Sequence, residues 1–361
     1  MMGMKVRLGD YISEYSVRNK AEDDIPVYSV TNTQGFCQDY FGKEVASKDK
    51  STYKIVPKGY FAYNPSRINV GSVDWQRNEK QVIVSPLYNV FSVTSGLDQQ
   101  YLYYFLKSEI ALHLIQAAAT GSVRDNLKFS MLSDFIVNLP PIAEQKEIVY
   151  TLDKIKTVIS CRQQQLSALD DLIKARFVEM FGDPIENPKH LETIRGEDFF
   201  KLSNGKFVPE QKRFENGIPI YGGNGISWYT DDVLVQEDTL VVGRVGFQSG
   251  NVHLAKAPLW VSDNAMYVSY YNQDEYNLIF LCDLMKHIDF TRHQDAGDLK
   301  KITQKPFMTM QFIHPTIVQQ REYIAFVEQV DKSKFVCYNY TRYCYKCMPC
   351  NTKTWRVIDD N

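Results

Sequence analysis

The sequence predicts an α+β chain in which one plan is used twice: a strand-rich unit followed by a long helix, then a second such unit and the start of a second helix. Three observations lead there. Between Pro141 and Gly182 runs a stretch of about forty residues without proline or glycine. Residues around its start recur in order near the C-terminus. The remaining sequence is rich in short runs of Tyr, Phe and Val broken by Gly, Asn, Ser and Pro, which suits short strands.

The first unit is expected over residues 1–140. Its strands are "KIVPKGYFAYNP" and "KQVIVSPLYNVFSV", and a helix is expected around Gln100–Ala118. A long helix over 141–181 comes next. Ile148, Leu152, Ile155, Ile159, Leu166, Leu169, Ile173 and Met180 fall on alternating steps of four and three, and the steps between them land on Arg162 and Arg176. So narrow a seam, held this long, calls for another long helix as its partner rather than a globular core. Forty residues at 1.5 Å each make a rod of roughly 60 Å. The second unit, 182–314, carries "DTLVVGRVG", "NAMYVSYY" and a helix around Glu275–Phe290. A second helix is expected to begin over 315–336.

The repetition is explicit. Pro140, Gln145 and Glu147 match Pro315, Gln320 and Glu322 at a constant offset of 175. Further back, Leu102 pairs with Leu278, Tyr88 with Tyr267 and Pro26 with Pro219, at offsets of 176, 179 and 193. The drift runs one way, as loop insertions in one copy produce. An internal duplication is the reading.

Composition sets the outer limits. The 361 residues suit two or three domains. Net charge is −2, so a DNA partner would need basic residues gathered on one face. No run of eighteen apolar residues exists and the N-terminus lacks an apolar signal core, so a cytoplasmic, non-membrane protein is expected. Cys37, Cys161 and Cys282 read as reduced thiols.

These features together resemble the specificity subunit of type I restriction–modification systems. "LPPIAEQKEIV" opens a forty-residue helix, and "HPTIVQQREYIAFVEQVDKSK" closes a second unit. "YNPSRINVGSV" and "TLVVGRVGFQSGNV" also look like the family's target-recognition domains. The resemblance covers roughly 5–335. It implies two target-recognition domains, each reading half of a split double-stranded DNA target, with the helices paired as an antiparallel coiled-coil spacer. It further implies two docked modification subunits and restriction or motor subunits as partners. The chain itself would be non-catalytic and hold no cofactor; S-adenosylmethionine, ATP and Mg²⁺ would belong to the partners.

Candidate DNA contacts follow from residue type, since cations meet phosphates while Arg, Asn, Gln, Ser and Thr read base edges. In the first unit these are Asn32, Thr33 and Gln34 in a polar turn, Tyr63, Asn64 and Arg67 at a strand end, and Arg124 and Lys128 after a glycine turn. In the second they are Tyr221 and Asn224 in "YGGNGIS", Arg244 between two glycines, and Lys300 and Lys301. Arg244 takes the place of Arg67, and Lys300–Lys301 that of Arg124 and Lys128. Lys43, Lys48, Lys50, Lys54 and Lys58 are interleaved with acids and read as a solvated face.

Enzyme readings are weaker. A methyltransferase turn would need an aromatic where "YNPSR" has Ser66 and Arg67. Asp198, Glu210 and Lys212 could form an Asp…Glu-x-Lys nuclease site. Cys337, Cys344, Cys347 and Cys350 have a spacing that zinc tolerates. After Val330 the heptads are expected to stop, leaving the second helix truncated and 337–361 as an atypical, disordered tail. Ile148 and Leu152 would then stand uncovered. A degenerate or silent copy with impaired assembly therefore stays open beside the active specificity subunit.

Overall fold

The computed structural model describes residues 4–21, 23–38, 49–119, 126–295, 297 and 300–347, the side chains of 343–347 excepted. It divides into two compact units, Met1–Gln163 with Asn339–Asn361, and Gln164–Tyr338.

In the first unit β1 (Met4–Arg7), β2 (Ile12–Glu14), β3 (Ser29–Thr31), β4 (Gly35–Cys37), β5 (Lys54–Pro57), β6 (Phe61–Tyr63), β7 (Val73–Trp75), β8 (Gln81–Val84) and β9 (Asn89–Val93) precede three helices. The helices are α1 (Gln99–Leu106), α2 (Glu109–Ala119) and α3 (Phe129–Ser133), and β10 (Ile136–Leu139) follows them. The single helix expected around Gln100–Ala118 is thus two. Ser108 explains the break: its Oγ accepts from the Ala111 N–H at 3.3 Å, capping a fresh helix.

Helix α4 (Ile142–Phe181) matches the expected span to within one residue and crosses from the first unit to the second after Gln163. Gly182 ends it, adopting a φ of +76° that a side chain would resist. In the second unit come β11 (Thr193–Arg195), α5 (Gly196–Phe199), β12 (Phe200–Asn204), β13 (Ile218–Gly222), β14 (Gly225–Thr230), β15 (Thr239–Gly243), β16 (Val252–Ala255), β17 (Trp260–Val261) and β18 (Ala265–Tyr271). Helices α6 (Leu278–Lys286) and α7 (Lys305–Thr309), strand β19 (Gln311–Ile313) and α8 (Ile317–Cys347) complete it.

The duplication appears as repeated topology. The main sheet of the first unit runs β2-β9-β6-β7, and that of the second β12-β18-β15-β16. β1 closes antiparallel on β10 as β11 closes on β19. β13 runs parallel to β17, and the first unit keeps a trace of this in a parallel bridge between Val27 and Ile83. The "EQ" motif has a matching physical role in each copy. The buried Gln145 side-chain amide donates to Gly96 O and Pro140 O and accepts from the Asp98 N–H. Gln320 does the same with Glu275 O, Pro315 O and the Asn277 N–H. Each glutamine pins a long helix to the start of a core helix.

The first core gathers Phe61, Tyr63, Phe91, Leu102 and Phe105, with Ile148 packed against it. The second gathers Phe177 and Phe181 from α4 with Phe199, Tyr276, Phe280 and Tyr323. Burying two phenylalanines contributes roughly 2 kcal/mol each. The partly exposed Arg176–Glu322 pair contributes at most about 1 kcal/mol, so the aromatic cluster is what anchors α4 there.

Every predicted seam residue of α4, from Ile148 to Met180 and with Arg162 and Arg176 among them, is buried or half-buried. Within the second unit α8 runs antiparallel to this stretch: Lys334 meets Asp170 at 2.7 Å and Arg176 meets Glu322 at 3.3 Å. Two expectations are corrected. Helix α8 does not end at 336, nor its heptads near Val330, but it continues to Cys347, because the segment holds no Gly or Pro and its 4,3 spacing persists through Lys334, Cys337 and Thr341. Ile148 and Leu152 are not uncovered: Ile148 packs on the first core and Leu152 is buried. Pro349 and the rest of the expected tail lie outside the described residues. Among the described residues, no helix is long and apolar enough to cross a membrane.

Candidate nucleic-acid interface

In the second unit two hairpin ends meet. The turn from β13 to β14 carries Gly223 and Asn224, and the loop after β15 carries Arg244 to Asn251. The approach is backbone on backbone: a Cβ on Gly243 would lie 2.4 Å from Gln248 O and 3.0 Å from Gly223 Cα. Only glycine fits there. The glycines of "YGGNG" and "VVGRVG" therefore pack first against each other. Beside them opens a cavity of about 620 Å³ lined by Arg213, Asn224, Ser227, Trp228, Gln248 and Asn264, with Phe247 on its rim. Amides and a hydroxyl beside an arginine supply both donors and acceptors, as base edges require.

The basic segment before α7 is joined to the same loop. The Gly246 N–H donates to Lys300 O at 2.8 Å, and the Ile302 N–H donates to Arg244 O at 2.9 Å. Lys300 and Lys301 are exposed, and Arg244 is half-buried with its guanidinium 3.5 Å from Asp263 O. The structure brings Arg244, Lys300 and Lys301 into one neighbourhood. Asn224 stands at the cavity. Tyr221 does not: it packs against the small core of Val241, Leu259 and Val261, and burial pushes its hydroxyl pKa up. It is half-buried on the opposite face of a strand whose period-two alternation sends neighbours to opposite sides.

The first unit repeats the device. The Leu127 N–H donates to Pro65 O at 3.1 Å, tying the segment bearing exposed Lys128 to the loop bearing exposed Arg67. Asn32, Thr33 and Gln34 form the exposed β3–β4 turn. Gly35 closes this turn because a Cβ there would collide with the carboxylate of Asp74. Lys107 Nζ donates to Asn32 O at 2.6 Å and to Asn32 Oδ1 at 3.0 Å, beside a cavity of about 290 Å³ shared with Asn69, Val70 and His113.

Two expectations need correction here, those for Tyr63 and Lys54. Tyr63 is fully buried, its hydroxyl donating to Leu127 O, and desolvation raises its pKa well above the usual phenol range. It is a core residue that fixes the Lys128 segment from within. Half-buried Asn64 spends its Oδ1 on the N–H and hydroxyl of exposed Ser66, which makes the turn. Lys54 is half-buried on Tyr88 O, and burial lowers its pKa, so it is not part of a solvated face. Arg124, Lys43 and Lys48 lie outside the described residues. Of the nuclease set, exposed Lys212 is held by Asp232 at 2.6 Å. The Cys337 thiol faces Gln165 Oε1, and the other three cysteines of that set are outside the described side chains.

Sequence reasoning missed Arg213, Trp228, Phe247 and Lys107. Phe247 had a readable signal, a large aromatic directly after a glycine in a polar loop, and Trp228 follows the glycine-rich turn by three residues. Arg213 and Lys107 had none, since each is brought in by tertiary packing.

A family model for the type I restriction modification DNA specificity domain matches residues 6–170 and 188–336. A type I specificity subunit of Mycoplasma genitalium is 21% identical over 229 residues, covering 59% of this chain and 57% of that protein. The MjaVIII specificity subunit of Methanocaldococcus jannaschii is 22% identical over 194 residues, covering 49% and 45%. The chain spans about half the length of the curated relatives it matches. A chain solved in work on complex assembly and conformational transition of the type I R-M system superposes with a TM-score of 0.61 at 13% identity, covering 97% and 96%. The S subunit from M. genitalium gives 0.56 at 15% identity, covering 99% and 96%. At such identities these two likenesses speak for the fold. The family model covers most of the sequence, in two copies that coincide with the two repeated units, and the chain belongs to the type I restriction–modification DNA specificity family.

Proposed function

We propose that this chain is the DNA-reading subunit of a type I restriction–modification complex. Each unit reads one half of a bipartite double-stranded target, and α4 with α8 acts as the coiled-coil spacer that sets the gap. Two modification subunits and the restriction subunits dock onto it and supply S-adenosylmethionine, ATP and Mg²⁺ chemistry. The chain itself catalyses nothing and works in the cytoplasm. One observation carries this reading: the same sheet order occurs twice, each time with a cationic loop zipped to a second basic segment, Arg67 with Lys128 and Arg244 with Lys300 and Lys301. Cations so placed meet phosphates while neighbouring amides meet bases. A silent copy was motivated by an early stop of the second helix, and α8 runs on to Cys347.

Methylation mapping of genomic DNA from cells with and without the chain tests the proposal. A split motif that vanishes with the chain is the expected result. Exchanging residues 185–312 for those of another family member should change one half-site and leave the other. A methylation map indifferent to the chain would sink the reading.

A further inference from the structure

We propose that Phe247 is an apolar wedge that enters the base stack of the half-site read by the second unit. This rests on the DNA-reading role proposed above. Phe247 is 90% exposed, the most exposed large apolar side chain among the described residues. A benzyl group held in water is unfavourable by itself, so the position asks what covers it.

The loop that carries it is built rather than slack. Gly246 and Gly250 take φ of +92° and +97°, bracketing the tip. The Gly250 N–H donates to Gly243 O at 2.8 Å and the Ser249 N–H to Gly246 O at 3.1 Å. The Gln294 side-chain amide donates to Ser249 O and Oγ, both at 2.8 Å. A braced tip loses little freedom when it inserts, which favours binding. Charge complementarity selects the occupant. Arg244, Lys300 and Lys301 sit at the base of the same loop, placed for backbone phosphates, and Gln248 and Asn224 line the adjoining cavity. Protein side chains of this apolar kind unstack and kink duplexes when cations grip the flanking phosphates. The topologically equivalent loop of the first unit, residues 64–72, has no aromatic residue, so the wedge acts on one half-site alone.

The test uses the full chain purified with its methyltransferase partner and duplexes bearing the split motif mapped in cells. Phe247→Ala should lower methylation about tenfold, as expected for loss of one stacked ring. Phe247→Trp and Phe247→Leu should retain most of it. An abasic site that opens the stack at the wedged step should restore binding by the Ala variant and do nothing for Arg244→Ala. Wild-type behaviour of Phe247→Ala overturns the wedge while a chain-dependent motif leaves the reading role standing. So does a loss that follows replacement of thymine by uracil, which would make Phe247 a methyl contact instead. A loss accompanied by a lower melting temperature and unrelieved by any opened duplex also overturns it. A motif that does not depend on the chain removes the reading role itself.

Discussion

Gln145 and Gln320 are each fully buried and each make three hydrogen bonds to main-chain groups, the two residues sitting 175 positions apart in the same role. Such a side chain is worth more by what it prevents than by what it adds. Gln320→Ala would remove this partner from Glu275 O, Pro315 O and the Asn277 N–H at a buried to half-buried site. The expected loss is about 3 kcal/mol, read as a lower urea midpoint at unchanged slope. Gln145→Ala should do the same to the first unit, and a loss below about 0.5 kcal/mol at either site would refute the clamp role. The motif "LPPIAEQ" was legible as a helix start because the prolines and the heptads stand side by side in sequence. Its glutamine's task was not, because the partners at Gly96 and Asp98 lie almost fifty residues upstream. Tyr63 and Tyr221 misled for a related reason: alternation says that a strand has two faces, but only the assembled sheet says which is inside.

At the scale of elements, the seam of α8 changes character without changing its period. Tyr323, Val327 and Val330 give way to Lys334, Cys337 and Thr341 at the same steps. Counting apolar residues ends the helix too early; counting positions does not. Lys334 fits because its stem packs inward while its ammonium reaches Asp170 at 2.7 Å and Asp331 at 3.2 Å. Lys334→Glu should destabilise the helix pair by about 1 kcal/mol through like charges. Adding Asp170→Lys should recover part of that loss, and only part, because Asp331 still faces the new Glu at i,i+3. Full additivity in this double-mutant cycle, followed by thermal melts, would show that the two helices do not pair there. Four strand regions were readable from the aromatic runs, the sheet order was not, and the break at Ser108 depended on a single hydroxyl that propensity alone does not rank.

For the whole molecule, separate cores and one continuous helix make a distinction that experiment can reach. Each unit holds its own aromatic cluster, so each should fold without instruction from the other. What α4 would add, in the proposed reading, is a fixed separation between half-sites. Inserting a flexible Gly/Ser segment of about eight residues between Gln163 and Gln164, with a matching insertion after Tyr338, spares both cores and breaks the rod. Such a linker has a root-mean-square span of roughly 16 Å. That is several steps of about 3.4 Å along a duplex, so the gap would no longer be single-valued. Calorimetry should find both units unfolding near their original midpoints. Methylation at the original motif should fall about tenfold or more, with weak marks appearing at neighbouring gap lengths, because two heads joined by a loose chain gain only a diluted effective concentration for one another. Unchanged methylation at a single gap would mean that something other than the helix sets the spacing, and the spacer role would fall while the two reading heads stood.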